Sequence, residues 1–402
     1  MNNAPCPDAT DARARLASHG WIKANAENFR HLPPPALSVW LPDPSAKIAP
    51  TVGWTVKPWA PTMQDQYQAQ YLDPTDPGQR ATLFKGLPWP NESDAAHFGW
   101  VHRATCQRGL RLRIGEHGGS QPPSQETVQL VLRIEPPALF DAPLLVIEVA
   151  PGMHCVLLEQ HDFDSDRAGG VQNLEVHIQL GRGAHLEHLR AVYPGSGDRL
   201  AHHIHVEMAE DAHYDQVLLA SGSAYHLQRT RLDLKQPRSQ ARIGAALLVT
   251  NATLDHQVAL SHTAANSHSA VEALLLAAGQ TRAVLNAHTL IAPGSDEAAV
   301  RQCLSAIPTS GQPRVVLRPH MEIQHDQVQA SHGATFGALP EEALFYARQR
   351  GLDEVGALAL ILEGLQTAVL ERALENPEIL QAMKLDDLLG RMTHQHLQQG
   401  QP

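Results

Sequence analysis

A mainly β chain, wound as a β-solenoid with helical ends, is the fold class that the 402-residue sequence predicts. Three observations carry that expectation. Short apolar alternations bounded by turn residues recur from about Val101 to Thr335. Only five aromatic side chains (Phe140, Phe163, Tyr193, Tyr214 and Tyr225) lie in that stretch, and helical periodicity is confined to the two ends. A large sandwich core draws on aromatic rings to fill its volume, whereas Leu, Val, Ile and Ala suffice for a thin lumen of stacked rungs. No strict repeat length is visible, so the solenoid rests on composition and strand count rather than on periodicity.

In chain order, the predicted segments are 1–100, 101–336 and 337–402. The first is helical and Pro-rich: it holds all six Trp and 14 of the 29 Pro. A helix is expected from Asp8 to about Phe29, broken by Pro33-Pro34-Pro35, with irregular Pro-punctuated chain after it. In the second segment, Leu174, Val176, Ile178 and Leu180 fall at every second position, on one face of a strand, before Gly181-Arg182-Gly183 turns the chain into Ala184–Arg190. Similar runs occupy Leu144–Val149, Cys155–Glu159, His203–Met208, Tyr214–Ala220, Ala241–Thr250, Leu254–Leu260, Ala270–Ala277, Ala283–Ile291 and Val315–Ile323. So many strands exclude a helical or doubly wound fold. In the third segment, Pro340, Glu341 and Glu342 suit a helix start, and Arg348, Arg350 and Gly351 suit its end. A second helix, about Glu354–Leu374, shows a 3.6-residue apolar period through Leu358, Ile361, Leu362, Leu365 and Val369. A third runs from Glu378 to about Met392 after Asn376-Pro377.

Composition removes several function classes. With 42 acidic and 31 basic residues the formal charge is −11, which disfavours nucleic-acid binding. No apolar run reaches the ~18 residues of a membrane span, and the N-terminus lacks a basic start followed by an apolar run. A cytoplasmic protein is expected. Cys6, Cys106, Cys155 and Cys303 are far apart and form no Cys-x-x-Cys, so neither a disulfide framework nor a complete four-thiolate cluster site is encoded. There is no phosphate-binding Gly-x-x-x-x-Gly-Lys loop, no His-Glu-x-x-His and no Gly-x-Ser-x-Gly.

Of the 24 His, 17 lie between His154 and His332. The densest group is His202-His203-Ile204-His205-Val206-Glu207-Met208. Alternation sets His203, His205 and Glu207 on one face; that set suits Zn²⁺ or Fe²⁺, and equally a solvated outer strand face. A metal-dependent hydrolase or polysaccharide-acting β-helix enzyme would be the rival built on it, although polysaccharide clefts display aromatic platforms that this segment lacks. His185 and His188 face opposite sides of a strand. Asp162-Phe163-Asp164-Ser165-Asp166 starts like a calcium loop but lacks the glycine and distal glutamate, leaving an exposed acidic loop. Finally, a strand through Met321 and Ile323 ends in a turn, and His332 falls before Gly333 where strands give way to helices. An imidazole there can ligate a metal, carry a proton or brace the backbone.

The stretch Pro319–Ile323, Ser331-His332-Gly333-Ala334-Thr335 and Leu344-Phe345-Tyr346 through Arg350-Gly351 resembles the C-terminal signature of the SufB/SufD family of iron–sulfur cluster assembly proteins, on its SufD side. His262–Ser269, Ala283-Val284-Leu285-Asn286 and Ile291-Ala292-Pro293-Gly294 are similar in order and spacing. The resemblance covers about Leu174–Leu365 and is weak over the first 140 residues. It implies a right-handed parallel β-helix core with an N-terminal helical/irregular region and a C-terminal α-helical domain. It also implies a non-catalytic scaffold subunit in a complex with SufB and the ATPase SufC, or a homodimer in isolation, with no nucleic-acid or membrane partner. On this reading no cofactor is stably bound by the chain alone; iron or an iron–sulfur cluster is held transiently at the SufB interface, with His332 the candidate iron ligand. Phe345, Tyr346, Arg348, Leu358 and Leu362 would contact SufC. The family often carries Asp-Asp-Val-x-Cys before the His motif. This chain has Ala330 there, so co-ligands of His332 would come from SufB.

Overall fold

The computed structural model describes residues 7–41, 51–59, 66–90, 96–115, 127–137, 139–163, 169–339 and 341–400. Strands hold 47% of the chain and helices 23%, which makes it mainly β, as predicted. The chain opens with α1 (Pro7–His19), α2 (Leu37–Trp40), β1 (Trp54–Pro58), β2 (Tyr67–Leu72), α3 (Pro77–Leu83) and α4 (Ala96–Thr105). Then come β3 (Arg108–Ile114), β4 (Val128–Ile134), β5 (Phe140–Asp141), β6 (Pro143–Val149), β7 (His154–His161), β8 (Val171–Leu180) and β9 (His185–Val192). The series continues as β10 (Arg199–Met208), β11 (His213–Ser221), β12 (Tyr225–Leu234), β13 (Gln240–Thr250), β14 (Thr253–His262) and β15 (His268–Gly279). It ends with β16 (Arg282–Ile291), β17 (Ala298–Gly311), β18 (Arg314–Ile323) and β19 (Val328–Phe336), followed by α5 (Glu341–Gln349), α6 (Glu354–Glu371), α7 (Glu378–Ala382) and α8 (Leu385–Gln399).

Strands alternate between two sheets. One sheet runs β1-β4-β7-β9-β11-β13-β15-β17-β19 and the other β18-β16-β14-β12-β10-β8-β6-β3-β2, with β5 beside β8. Between β3 and β19 the pairing is parallel, giving about 7 turns of a β-solenoid. Passages from the second sheet to the first turn through a left-handed residue at one corner: Gly152, Gly183, Asp211, Arg238, Asn266 and Glu297. The amide of each corner bonds to the next rung, as in Gly183 N–H to Glu210 C=O and Arg238 N–H to Ala265 C=O. Rung length varies: Val171 pairs with Arg199 and Arg199 with Tyr225, but Arg282 pairs with Arg314. That variation hides the repeat from a search at fixed period.

Alternation then sorts the side chains into layers. Leu174, Val176, Ile178 and Leu180 face the lumen, as their spacing predicts, among Leu, Ile, Val and Ala from both sheets. The outer face of the first sheet carries α6–α8, with Leu362, Leu370, Leu380 and Leu389 on Val156, Leu189, Val217 and Leu248. Trp40, Phe98 and Trp100 pack on Ala201, Tyr225 and Leu227 of the second sheet, which accounts for much of the Trp concentration. One knot of buried polar side chains lies in the lumen. Glu159, fully buried, accepts from Arg190 (2.7 and 2.9 Å) and lies 2.6 Å from His161 and 2.9 Å from His188.

Several expectations are corrected. The first helix ends at His19 because Gly20 adopts φ +75°. The N-terminal segment also contributes β1 and β2 to the sheets, and α4 crosses residue 100. Lys384, in the left-handed region at φ 58°, splits the third C-terminal helix into α7 and α8. Cys6, Pro340 and Asp164–Asp166 of the acidic loop lie outside the described residues.

Candidate functional site

The two ends of the solenoid are finished differently. At the first end β1 and β2 pair antiparallel with β4 and β3, with Trp54 over the lumen and the guanidinium of Arg108 over the Trp54 ring. Arg108 is itself held by buried Asp141 at 2.6 and 2.9 Å. At the other end β18 and β19 are terminal in their sheets, each with one edge unpaired among the described residues. Almost all of β19 is exposed, and Ile323 (50%) and Phe336 (56%) stand in solvent. A long exposed edge with apolar side chains is a template for pairing with another strand.

His332 belongs to this end. It sits inside β19, a strand that sequence spacing did not anticipate, ahead of the strand-to-helix junction at which that spacing placed it. The reason is local: Ser331-His332-Gly333-Ala334 lacks the apolar alternation of a half-buried strand, because this strand buries neither face. Parallel register sets His332 beside Gln302, whose side chain is buried on the lumen side. His332 therefore stands over the open lumen, exposed, and makes no hydrogen bond to the described residues. Ala330 lies on the same face of the strand, so no thiolate accompanies the imidazole there. Cys106 and Cys155 are buried in strand and lumen packing; burial pushes the Cys106 thiol up to about 12, and Cys155 also upward. Both stay protonated, as inert thiols.

The C-terminal helices present a second surface. Asp353 accepts from Gly356 N–H as the N-cap of α6, and Gly351 (φ +93°) ends the preceding turn. Phe345 (64% exposed), Tyr346 and Arg348 project from α5, and Leu360 and Val355 of α6 are also exposed. Leu358 is half-buried. Leu362 is corrected from contact residue to core: it is fully buried between α6 and the sheet.

The strand face of β10 also departs from expectation. His203, His205 and Glu207 do share the outer face, but that face is roofed at one end rather than solvated. His203 is buried with its ring 5.1 Å from Phe98, its Nε2 has no partner among the described residues, and burial lowers it to about 3. Glu207 is exposed. The three do not converge as one ligand set; His205 instead joins Glu175 and His177 of the neighbouring strand. Sequence spacing missed those two because only rung register brings β8 against β10.

The family model described as SUF system FeS cluster assembly, SufBD core domain, matches residues 134–365, more than half of the chain. The iron–sulfur cluster assembly protein SufD of Escherichia coli (strain K12) is 25% identical over 240 residues, 56% of this chain and 56% of its own. An iron–sulfur cluster assembly SufBD family protein of Synechocystis sp. is 24% identical over 205 residues, 50% of this chain and 44% of its own. The chain thus spans about half the length of the curated relatives it matches. With strands β6–β19 and the start of α6 all inside the matched stretch, the solenoid and its open end are the family's own core: the chain belongs to the SufBD core family.

Proposed function

We propose that the chain is a non-catalytic scaffold subunit in SUF-type iron–sulfur cluster assembly. The open end formed by β18 and β19 is the observation that carries this reading. In a family whose members share the solenoid core, the natural complement of an unpaired rung is the rung of another member, so a SufB-like solenoid docks there by strand pairing. Iron or a nascent cluster is then transient cargo at the joint, where His332 supplies an imidazole and the partner supplies the thiolate that Ala330 leaves absent beside it. A SufC-like ATPase docks on the exposed face of α5 and early α6 through Phe345, Tyr346, Arg348 and Leu358, consistent with the missing phosphate loop.

Co-expression with SufB-like and SufC-like chains, followed by native mass and iron and sulfide measurement, tests the proposal. His332→Ala is expected to leave the complex assembled and to lower its retained iron several-fold. Unchanged iron in an intact complex would remove His332 from the site, and failure of the wild-type chain to join a SufB-like partner would remove the scaffold reading.

A further inference from the structure

The register of β8, β10 and β12 places a polar grid on the outer face of the second sheet. Glu175, His203 and Arg229 form one row, and His177, His205 and Arg231 the next. Parallel strands lie 4.7–4.9 Å apart, and the rings of His177 and His205 accordingly stack with centroids 4.8 Å apart and an interplanar angle of 15°. Both aim at one carboxylate oxygen: Glu175 Oε2 is 3.1 Å from His205 Nε2 and 3.8 Å from His177 Nε2. The ligand atoms of all three lie within 4.8 Å of one another.

We propose that Glu175, His177 and His205 form a binding site for a divalent first-row transition metal, Fe²⁺ or Zn²⁺ in class. Two imidazoles and one carboxylate on one side of an ion are a donor set suited to these metals, with nitrogen and oxygen ligands at about 2.0–2.2 Å. Small rotations of the two rings bring the donors from their present separations to that distance. Glu175 is nearly buried, with its Oε2 turned toward both imidazole rings.

Space for further ligands is present. A cavity of about 200 Å³ adjoins the three residues, lined also by Trp89, Gly99, His203, Arg231, Asp233 and Lys235. The unpartnered, buried Nε2 of His203 is placed to accept from or donate to a metal-bound water or anion in that cavity. The other histidine clusters are weaker. His185, between His154 and His213, already bonds to Asp215, whose charge is balanced by Arg242 at 2.7 and 2.9 Å. His288, His320 and Glu322 lie partly or fully in solvent. The site stands apart from the docking end and does not depend on the scaffold reading. It also runs against the expectation that the chain alone holds no metal stably.

The full chain alone, stripped with chelator, is titrated with Co²⁺ followed by its visible absorption and with Zn²⁺ followed by calorimetry. One equivalent is expected to bind with a ligand-field spectrum. His205→Asn, at a half-exposed position, should weaken that equivalent at least tenfold while the far-ultraviolet circular dichroism stays unchanged, and Glu175→Gln should do the same. His185→Asn should leave it intact. No binding above that of an unrelated control protein would overturn the proposal. So would an equivalent retained by folded His205→Asn or lost in His185→Asn.

Discussion

Inside the lumen, single residues set the conditions under which the solenoid is stable. Glu159 is buried without access to water, a position that would ordinarily neutralise it. Arg190, His161 and His188 instead hold its carboxyl well below the usual range. His256, on the next rungs, has both ring nitrogens unpartnered among the described residues and is lowered by burial to about 4. His226 is lowered to about 3 and His102 to about 4 for the same reason. The unfolded chain protonates such imidazoles near 6.5. Between pH 6.5 and 4 the unfolded state therefore binds more protons than the folded one. The contribution is complete above pH 6.5 and declines as pH falls toward 4. Thermal unfolding followed from pH 7.5 to 4.5 should show Tm falling with pH over that interval. His256→Leu, which removes two unpaired buried nitrogens, should raise stability by about 1 kcal/mol and flatten the slope. A steeper slope in that variant would contradict this account.

Between strands and helices the same alternation decides what is core and what is surface. Leu362 and Phe345 look equivalent in sequence, as apolar residues in amphipathic C-terminal helices. The first closes the seam of α6 on the sheet; the second stands in solvent. Leu362→Ala should cost about 2–5 kcal/mol in chemical denaturation, whereas Phe345→Asp should leave stability within about 0.5 kcal/mol and abolish co-elution with a SufC-like ATPase. Co-elution that survives Phe345→Asp combined with Leu358→Asp would place the contact elsewhere. Strand faces were legible in many half-buried strands, as at Leu174–Leu180, because burial forces alternation, although β4, β12 and β17 were not anticipated. They were illegible in β19, whose exposed small residues need no alternation, and at the rung corner. There Gly152 and Gly183 give way to Asp211, Arg238, Asn266 and Glu297, so a constant backbone conformation has no constant residue. The candidate metal triad was half legible: His205 is visible on its strand, but its neighbours Glu175 and His177 are joined to it only by rung register.

The molecule as a whole is asymmetric. Its N-terminal region caps one end of the lumen and roofs part of one sheet, its C-terminal helices cover the other sheet, and the last rung is left bare. None of the helices among the described residues is long and apolar enough to cross a membrane. A bare rung carrying exposed Ile323 and Phe336 next to His332 invites a second solenoid, either a family partner or another copy of the chain. Hydrogen exchange distinguishes occupied from bare edges directly. Amide exchange of Arg314–Ile323 and Val328–Phe336 is measured in the chain alone and in its co-purified complex with SufB-like and SufC-like chains. The account predicts that outward-facing amides of these two strands exchange fast in the free chain and become strongly protected in the complex. A complex that forms while those amides exchange as fast as in the free chain would contradict docking through the open end.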